Sequence, residues 1–320
     1  MQREITSVKV VDHVWHVILN TNANEKRCER EWRPVAEAMR RCGIRHELHR
    51  VGKPGEGIET AKLLCENGIR HIVAAGGDGT VNEVVNGIML SGANSSEVFM
   101  AVLPLGRGND WVRTHHFPKS IGEVVEMWRE GRFMKHDVGR VTTYDGERPA
   151  GSRYFINIAG FGFDADVIYD VTHHPSHFLG FNTYVLSLLK TLFSHKPTPV
   201  KVTAGGGFAF AGDVFMVIAA ICQYNGGGIR EAKYAVPDDG KIDLIVVPAM
   251  SVPKVLRHLK DMTSGDHLDK IKEIRKTLTS VADIRSPQLL RGETEGELLI
   301  FGDYRVEVFP HAINVLTANC

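Results

Sequence analysis

The sequence predicts an α/β domain followed by an all-β domain: a Rossmann-like open α/β domain over residues 1–135, then an antiparallel β-sandwich over residues 136–320. A return of the last residues to the first domain stays open. Three observations carry this prediction. Up to Gly131, short apolar runs alternate with amphipathic helical patterns, which implies a parallel sheet with helices on its faces. Two of those runs, Ile72-Val73-Ala74-Ala75 and Val102-Leu103-Pro104-Leu105, lead into glycine turns, the arrangement expected at the crevice along the carboxyl edge of such a sheet. From His136 onward the rhythm is replaced by short β-rich runs divided by turns such as Gly205-Gly206-Gly207.

Trp15 to Leu19 reads as the first strand, running into the polar tail Asn20-Thr21-Asn22-Ala23-Asn24. Cys28 to Cys42 has Trp32, Val35, Ala36 and Met39 at helical spacing and stops at Gly43. Ile44 to Val51 is a strand, and Gly57 to Asn67 a helix ending at Gly68. After the next strand comes Gly76-Gly77-Asp78-Gly79-Thr80, with Val81, Val84, Val85 and Ile88 at helical spacing. Thr80 and Glu83 fit a capping box, so a helix is expected to begin at this turn. Glycines let a ligand approach the backbone, the helix N-terminus favours anions, and Asp78 adds a carboxylate able to reach a metal or a proton. That combination suits a nucleotide phosphate with Mg²⁺. The second turn, Gly106-Arg107-Gly108-Asn109-Asp110, precedes a helix over Ile121 to Gly131 with Val124, Val125 and Trp128 on one side.

In the second half, β-runs are expected at Arg153 to Ala159, Val200 to Ala204, Phe208 to Phe210, Val214 to Cys222, Ile242 to Val247, Glu297 to Ile300 and Arg305 to Phe309. Gly160-Phe161-Gly162-Phe163-Asp164-Ala165 mimics a dinucleotide fingerprint, but no βαβ rhythm follows it and the acidic ribose partner is missing. His177 to Phe193 is a strongly apolar helix, either core or the lining of an acyl-chain site. Residues 251–276 are locally basic, read by default as a solvated helix and alternatively as a dock for anionic lipid.

Lys+Arg and Asp+Glu both number 38, so no global field draws the chain onto nucleic acid. The five scattered cysteines include no C-x-x-C pair, which argues against a disulfide framework or a zinc site and fits a reducing cytosol. No signal-peptide core or run of about 18 apolar residues is seen, so a lipid substrate would be met at the membrane surface. No G-x-x-x-x-G-K-[ST] loop and no protein-kinase H-R-D or D-F-G set is present.

G-G-D-G-T-V-N-E-V-V-N-G followed by P-L-G-R-G-N-D resembles the diacylglycerol kinase catalytic-domain family of soluble lipid kinases, related to sphingosine kinases and more distantly to NAD kinases. The resemblance implies a diacylglycerol-kinase-like and NAD-kinase-like fold and transfer of the γ-phosphate of Mg-ATP to a diacylglycerol-like alcohol. It implies a nucleotide site at Asn20, Gly76, Gly77, Asp78, Gly79, Thr80, Asn82, Gly106, Arg107, Gly108 and Asn109. Y-F-I-N-I-A-G-F-G-F-D-A-D resembles the start of the family's second domain, where Asn157 and Asp164 would face the cleft. The Asp-Asp-Gly loop implies a structural Mg²⁺ on Asp239 and the carbonyls of Val236 and Lys241. Glu297 stands where the family has its proposed general base, with Asp78 as the other carboxylate discussed in that role. Thr21, Asn24, Val51, Arg107 and Glu295 depart from the family pattern. A kinase for a sphingoid base, another glycerolipid or NAD stays open, as do a non-catalytic nucleotide-binding regulator and a homodimer. The implied setting is cytoplasmic, with transient contact at the inner membrane surface.

Overall fold

The computed structural model describes residues 4–22, 27–173 and 181–318. The chain opens with β1 (Ile5–Ser7), β2 (Val14–Asn20), α1 (Arg27–Arg41), β3 (Arg45–Val51), α2 (Glu56–Glu66), β4 (His71–Gly76), α3 (Asp78–Leu90), β5 (Phe99–Pro104), α4 (Asp110–Thr114) and α5 (Ile121–Glu130). Strands β3, β2, β4 and β5 pair in parallel in that order. Helices cover both faces, which is why the strand runs are continuously apolar rather than alternating. Val73 and Ala75 pack on one side with Trp15, Val17, Met39 and Trp128. Ile72 and Ala74 pack on the other with Ala61, Cys65, Val85 and Ile88.

The capping box is not formed. Helix α3 starts three residues earlier, with Gly77 as N-cap and its carbonyl accepting from the N–H groups of Thr80 and Val81. Glu83 instead reaches the neighbouring helix, where its carboxylate accepts from Gly55 N and Gly57 N at 2.7 and 3.0 Å and caps α2. A side chain at Gly57 would fill that space, since its Cβ would fall 2.4 Å from Glu83 Oε2.

The second half contains β6 (Arg132–Asp145), β7 (Arg148–Phe155), β8 (Ile158–Gly162), α6 (Phe163–His173), α7 (Phe181–Ser194), β9 (Thr198–Ala204), β10 (Ala209–Ala220), β11 (Ile242–Pro248), α8 (Val252–Ser264), α9 (His267–Lys270), β12 (Arg275–Thr279), β13 (Val281–Arg285), β14 (Gly292–Thr294), β15 (Glu297–Leu298) and β16 (Asp303–Leu316). The expected runs at 208–210 and 214–222 are one strand. Its first part pairs β9 and its second part pairs β8 and β11, with the register shifting between Val214 and Met216. Such a bulge lets one strand serve two layers of a sandwich. The expected run at 153–159 is instead split at Ile156 and Asn157, and the run at 297–300 shrinks to two residues. Residues 251–276 are not one helix, because Arg275 and Lys276 belong to β12 and pair with Val246 and Ile245. A helix does follow Gly162, but the next strand, β9, pairs with β10 and β13 and not with β8, so no adjacent parallel βαβ pair results. Of the expected helix 177–193, residues 177–180 lie outside the described residues, as does Asn24. In α7, Leu192 is buried while Leu189 and Phe193 are exposed.

One strand fixes the two halves to each other. β16 pairs antiparallel with β6 over most of its length, and its Asn314 and Val315 pair in parallel with Phe99 and Met100 of β5. A single sheet therefore runs through both halves, and the cleft between them has both lips on the same scaffold.

Candidate active site

The two glycine turns touch each other through their backbones. Gly76 O accepts from Leu105 N at 2.8 Å and Gly106 N at 3.1 Å. A Cβ on Gly106 would lie 2.3 Å from Gly77 Cα, so only glycine permits this approach. Gly76 leaves room for Thr80, whose Oγ1 accepts from Asn20 Nδ2 at 3.2 Å, and the end of β2 is thereby tied to the same turn. The N-terminus of α3, with its unsatisfied N–H groups and positive dipole end, opens at this junction beside Asp78. Asp78 Oδ1 accepts from Trp111 N at 3.0 Å and is held there as α4 begins.

Opposite stands a wall of carboxyls from the second half. A cavity of about 370 Å³ is lined on one side by Asp78, Arg107, Gly108 and Asp110, and on the other by Asn157, Asp164, Asn225 to Gly227, Glu293 and Glu295. Asp110 Oδ2 accepts from Gly227 N at 2.7 Å across the cleft, and its Oδ1 pairs with Arg113 Nε at 3.2 Å. Burial, with the Asp78 charge adding to it, pushes the Asp110 carboxyl up to about 6. Deeper in, burial drives Asp164, Glu231 and Glu293 upward; the Asp164 charge adds to the rise of the other two, while a hydrogen bond with Glu231 partly offsets that of Asp164. Three buried carboxyls this close cannot all ionise unless a cation joins them.

Glu295 shows how this wall is built. Thr294 and Glu297 face each other across the β14–β15 hairpin, leaving Glu295 and Gly296 as its two-residue turn. Both have positive φ, 52° and 88°, as a type I′ turn requires. Glutamate is a costly choice for the first of these positions, where asparagine, aspartate or glycine is usual, and such strain gathers at functional sites. Its Oε1 accepts from Ile156 N and Asn157 N at 2.6 and 2.7 Å, where the strand run is broken. Burial, then the nearby Asp78 charge, raises Glu295 to about 7 despite those two bonds.

The sequence-derived residues are therefore only partly brought together. Asp78, Arg107, Gly108, Asn157 and Asp164 line the cleft. Glu297 does not: it is exposed on β15, the short outer strand of the hairpin, and is absent from the cavity lining. Asn82 is fully buried behind the cavity lining, where its side chain hydrogen-bonds Glu295; its amide also donates to Tyr154 O and its Oδ1 accepts from Arg153, tying α3 to β7. Asn109, at φ 51°, folds its amide onto Gly106 O and Pro104 O and so shapes the turn. Thr21 donates both its N–H and its hydroxyl to Val51 O. Asp239 Oδ1 accepts from Lys241 N, and this loop is clasped by Asp137, whose carboxylate accepts from Gly240 N and His311 N. Asp239, Val236 and Lys241 lie outside the cleft lining. Glu231, Glu293 and Asp110 were not singled out from sequence. They come from separate parts of the chain, and only the fold shows that they converge.

Residues 14–141 match the diacylglycerol kinase catalytic domain family, and residues 157–317 match the YegS C-terminal NAD kinase beta sandwich-like domain. The chain is 27% identical over 282 residues to a diacylglycerol kinase of Staphylococcus carnosus, covering 88% of this chain and 87% of that one. It is 31% identical over 265 residues to a Shewanella frigidimarina protein named "Probable lipid kinase YegS-like", covering 81% of this chain and 80% of that one. The fold is similar to the crystal structure of a diacylglycerol kinase from Bacillus anthracis, with a TM-score of 0.70 at 17% identity over 95% of this chain and 96% of the other.

Proposed function

Because the chain belongs to the diacylglycerol kinase family of lipid kinases, we propose that its interdomain cleft transfers the γ-phosphate of Mg-ATP to the hydroxyl of a diacylglycerol-like lipid. The observation that supports this most is the meeting, in one cavity at a helix N-terminus, of Asp78, Arg107 and Gly108 from the two glycine turns with a wall of carboxyls. Phosphoryl transfer asks mainly for positioning and charge neutralisation, and the two sides divide those tasks.

The donor set fits a hard divalent cation: several carboxylate oxygens, elevated by burial and mutual repulsion, around one opening. Asp78 and Asp110 would hold Mg²⁺, which when bound neutralises and orients the phosphate oxygens. The turns at residues 76–79 and 106–108 cradle the phosphates through backbone N–H groups, with Arg107 at the cleft mouth. Glu295 accepts the proton of the acceptor hydroxyl, and its elevated carboxyl is matched to that task near neutral pH.

We assign the membrane-facing surface to α8. Between β10–β11 and α8–α9 lies a small apolar cavity lined by Met216, Ile218, Val247, Met262 and Ile271. Glu231 lines it too and interacts with Asp164 of the cleft; at about 30 Å³ the cavity holds little more than one water and is not an acyl-chain site. On its outer side α8 exposes Leu256 and Leu259 beside Arg257 and Lys260, a surface suited to brief contact with an anionic bilayer. No helix among the described residues is long and apolar enough to cross a membrane.

The test is transfer of labelled γ-phosphate from ATP to diacylglycerol, monoacylglycerol, ceramide, sphingosine, phosphatidylglycerol and NAD in mixed micelles. Labelling of diacylglycerol above the others is expected. Preferred labelling of NAD would refute the lipid reading, and Mg-ATP binding without transfer to any acceptor would select the regulator.

The pH profile tests Glu295. Its carboxyl must be ionised to accept a proton, so kcat/KM is expected to rise with pH through a midpoint near 7. Stability runs the other way. A folded-state value above the ordinary 4.5 means the neutral form favours the fold at low pH, and that contribution fades as pH rises through 7. Glu295→Gln should remove both trends and cost about 10²-fold or more in kcat, whereas Glu297→Gln should leave the profile in place. The same limb in Glu295→Gln would remove Glu295 as the base.

A further inference from the structure

Beneath the cleft, three donor atoms from distant parts of the chain converge: His115 just after α4, His136 in β6 and Cys222 just after β10. His115 Nε2 and His136 Nε2 are 3.2 Å apart, and Cys222 Sγ lies 3.6 Å from the second and 4.0 Å from the first. All three residues are fully buried, at 0% exposure. A four- or three-coordinate zinc-type centre, with metal–nitrogen bonds of about 2.0–2.1 Å and metal–sulfur bonds of about 2.3 Å, sets its donors about 3.3–3.8 Å apart. The observed separations fall within a few tenths of an ångström of that range.

The surroundings prepare the same chemistry. His136 Nδ1 is 2.6 Å from the Asp137 carbonyl oxygen, an acceptor only, so Nδ1 carries the proton and the Nε2 lone pair points into the cluster. A backbone carbonyl fixing the far nitrogen is how proteins orient ligating histidines. The Cys222 thiol lies 3.4 Å from Ile156 O, to which its S–H donates. Trp111 covers the group, with its ring 4.1 Å from that of His115 and 5.8 Å from that of His136. Two imidazoles and a thiolate are soft to borderline ligands that suit Zn²⁺ or Cu⁺ and not Mg²⁺.

We propose that His115, His136 and Cys222 bind one d¹⁰ cation, Zn²⁺ or Cu⁺, as a structural centre at the base of the cleft. Binding replaces the thiol proton by a sulfur–metal bond and releases that proton to solvent. The centre joins the α4 lip, which carries Asp110, to the end of β10. There Gln223 N already donates to Thr114 Oγ1 at 3.0 Å. It thereby holds the cleft's two walls in register without touching the reacting groups.

The test uses the full chain, purified without a metal-affinity step and dialysed against EDTA, followed by elemental analysis. About one zinc or copper per chain is expected, since buried thiolate–imidazole sites release metal slowly. Refolding in Co²⁺ should give a thiolate-to-cobalt absorption band in the near ultraviolet, lost in Cys222→Ser. His49→Ala controls for the pair of buried His16 and partly buried His49, 3.0 Å apart beside Glu47, and should leave both the metal content and the band unchanged. If Cys222→Ser does not fold, the wild type decides alone: stripping the metal in mild denaturant should lower Tm, and Zn²⁺ or Cu⁺ should restore it. Below about 0.1 metal per chain, with no cobalt band and no response of Tm to metal, the proposal is overturned. Metal that stays in a folded Cys222→Ser variant but leaves with His49→Ala overturns it equally.

Discussion

Asp78→Asn is expected to lower kcat by about 10²–10³-fold or more while leaving the fold intact, the scale seen when one preorganised electrostatic group is removed from an active site. The substitution keeps the shape of the side chain and an oxygen able to accept from Trp111 N, so the start of α4 stays anchored and Tm should hardly move. What is lost is a negative charge at the helix N-terminus that stands beside Asp110 and faces Glu295 across the cavity. That charge helps raise both neighbours. Its removal therefore makes a second, signed prediction: the residual activity of Asp78→Asn should rise with pH through a midpoint below that of the wild type, because Glu295 ionises more readily beside a neutral amide. Mg²⁺ dependence should weaken in parallel, with a higher concentration needed for half-maximal rate. Near wild-type turnover with an unchanged metal requirement would refute the role given to Asp78.

How much of this was legible in the sequence depends on how local each signal is. The parallel half was readable because a sheet covered on both faces needs uninterrupted apolar strands, and Ile72 to Ala75 or Val102 to Leu105 are such runs. The glycine turns and Asp78 were readable for the same reason, since turn chemistry is written in adjacent residues. The carboxyl wall was not. Glu293 faces the cleft because it registers with Gly160 of β8, and Glu231 meets Asp164 only through the fold of the second half. No window of sequence contains those distances. Glu295 and Glu297 are separated by a turn whose positive φ values decide which carboxylate enters the cavity, a choice the residue types do not disclose. The misread capping box has a similar origin: Glu83 three residues after Thr80 fits its own helix, and the competing partner, the N-terminus of α2, became available only because Gly57 has no side chain. Arg275 and Lys276 looked like the end of a basic helix. They lie instead on β12, which among the described residues pairs only with β11, a position where charged side chains discourage further strand pairing.

Gly106→Ala should damage the protein in two ways at once. Its Cβ would fall 2.3 Å from Gly77 Cα, 3.0 Å from Gly77 N and 2.8 Å from Asn109 Oδ1. The first two contacts are with backbone, so no rotamer change relieves them. The turns must part, and with them go the bonds from Leu105 N and Gly106 N to Gly76 O. Overpacking of this kind costs about 1–3 kcal/mol, and separating the two halves of the phosphate cradle should weaken Mg-ATP binding by at least about tenfold, or about 1.4 kcal/mol. Because both effects have one cause, the variant alone does not distinguish a binding turn from a structural one. Gly79→Ala does. Gly79 lies in the first turn of α3, and a Cβ there meets no atom within 4 Å. In an interior helical position that exchange adds about 0.5–1 kcal/mol of stability. If nucleotide phosphate occupies the space above α3, the methyl group intrudes on it. A variant that melts higher yet binds Mg-ATP less tightly is then the expected result, measured by thermal unfolding and by calorimetric titration of the same sample. Stability and affinity rising together, or affinity unchanged, would mean that the phosphates lie elsewhere and that the two glycine turns exist to bring β4 and β5 into contact.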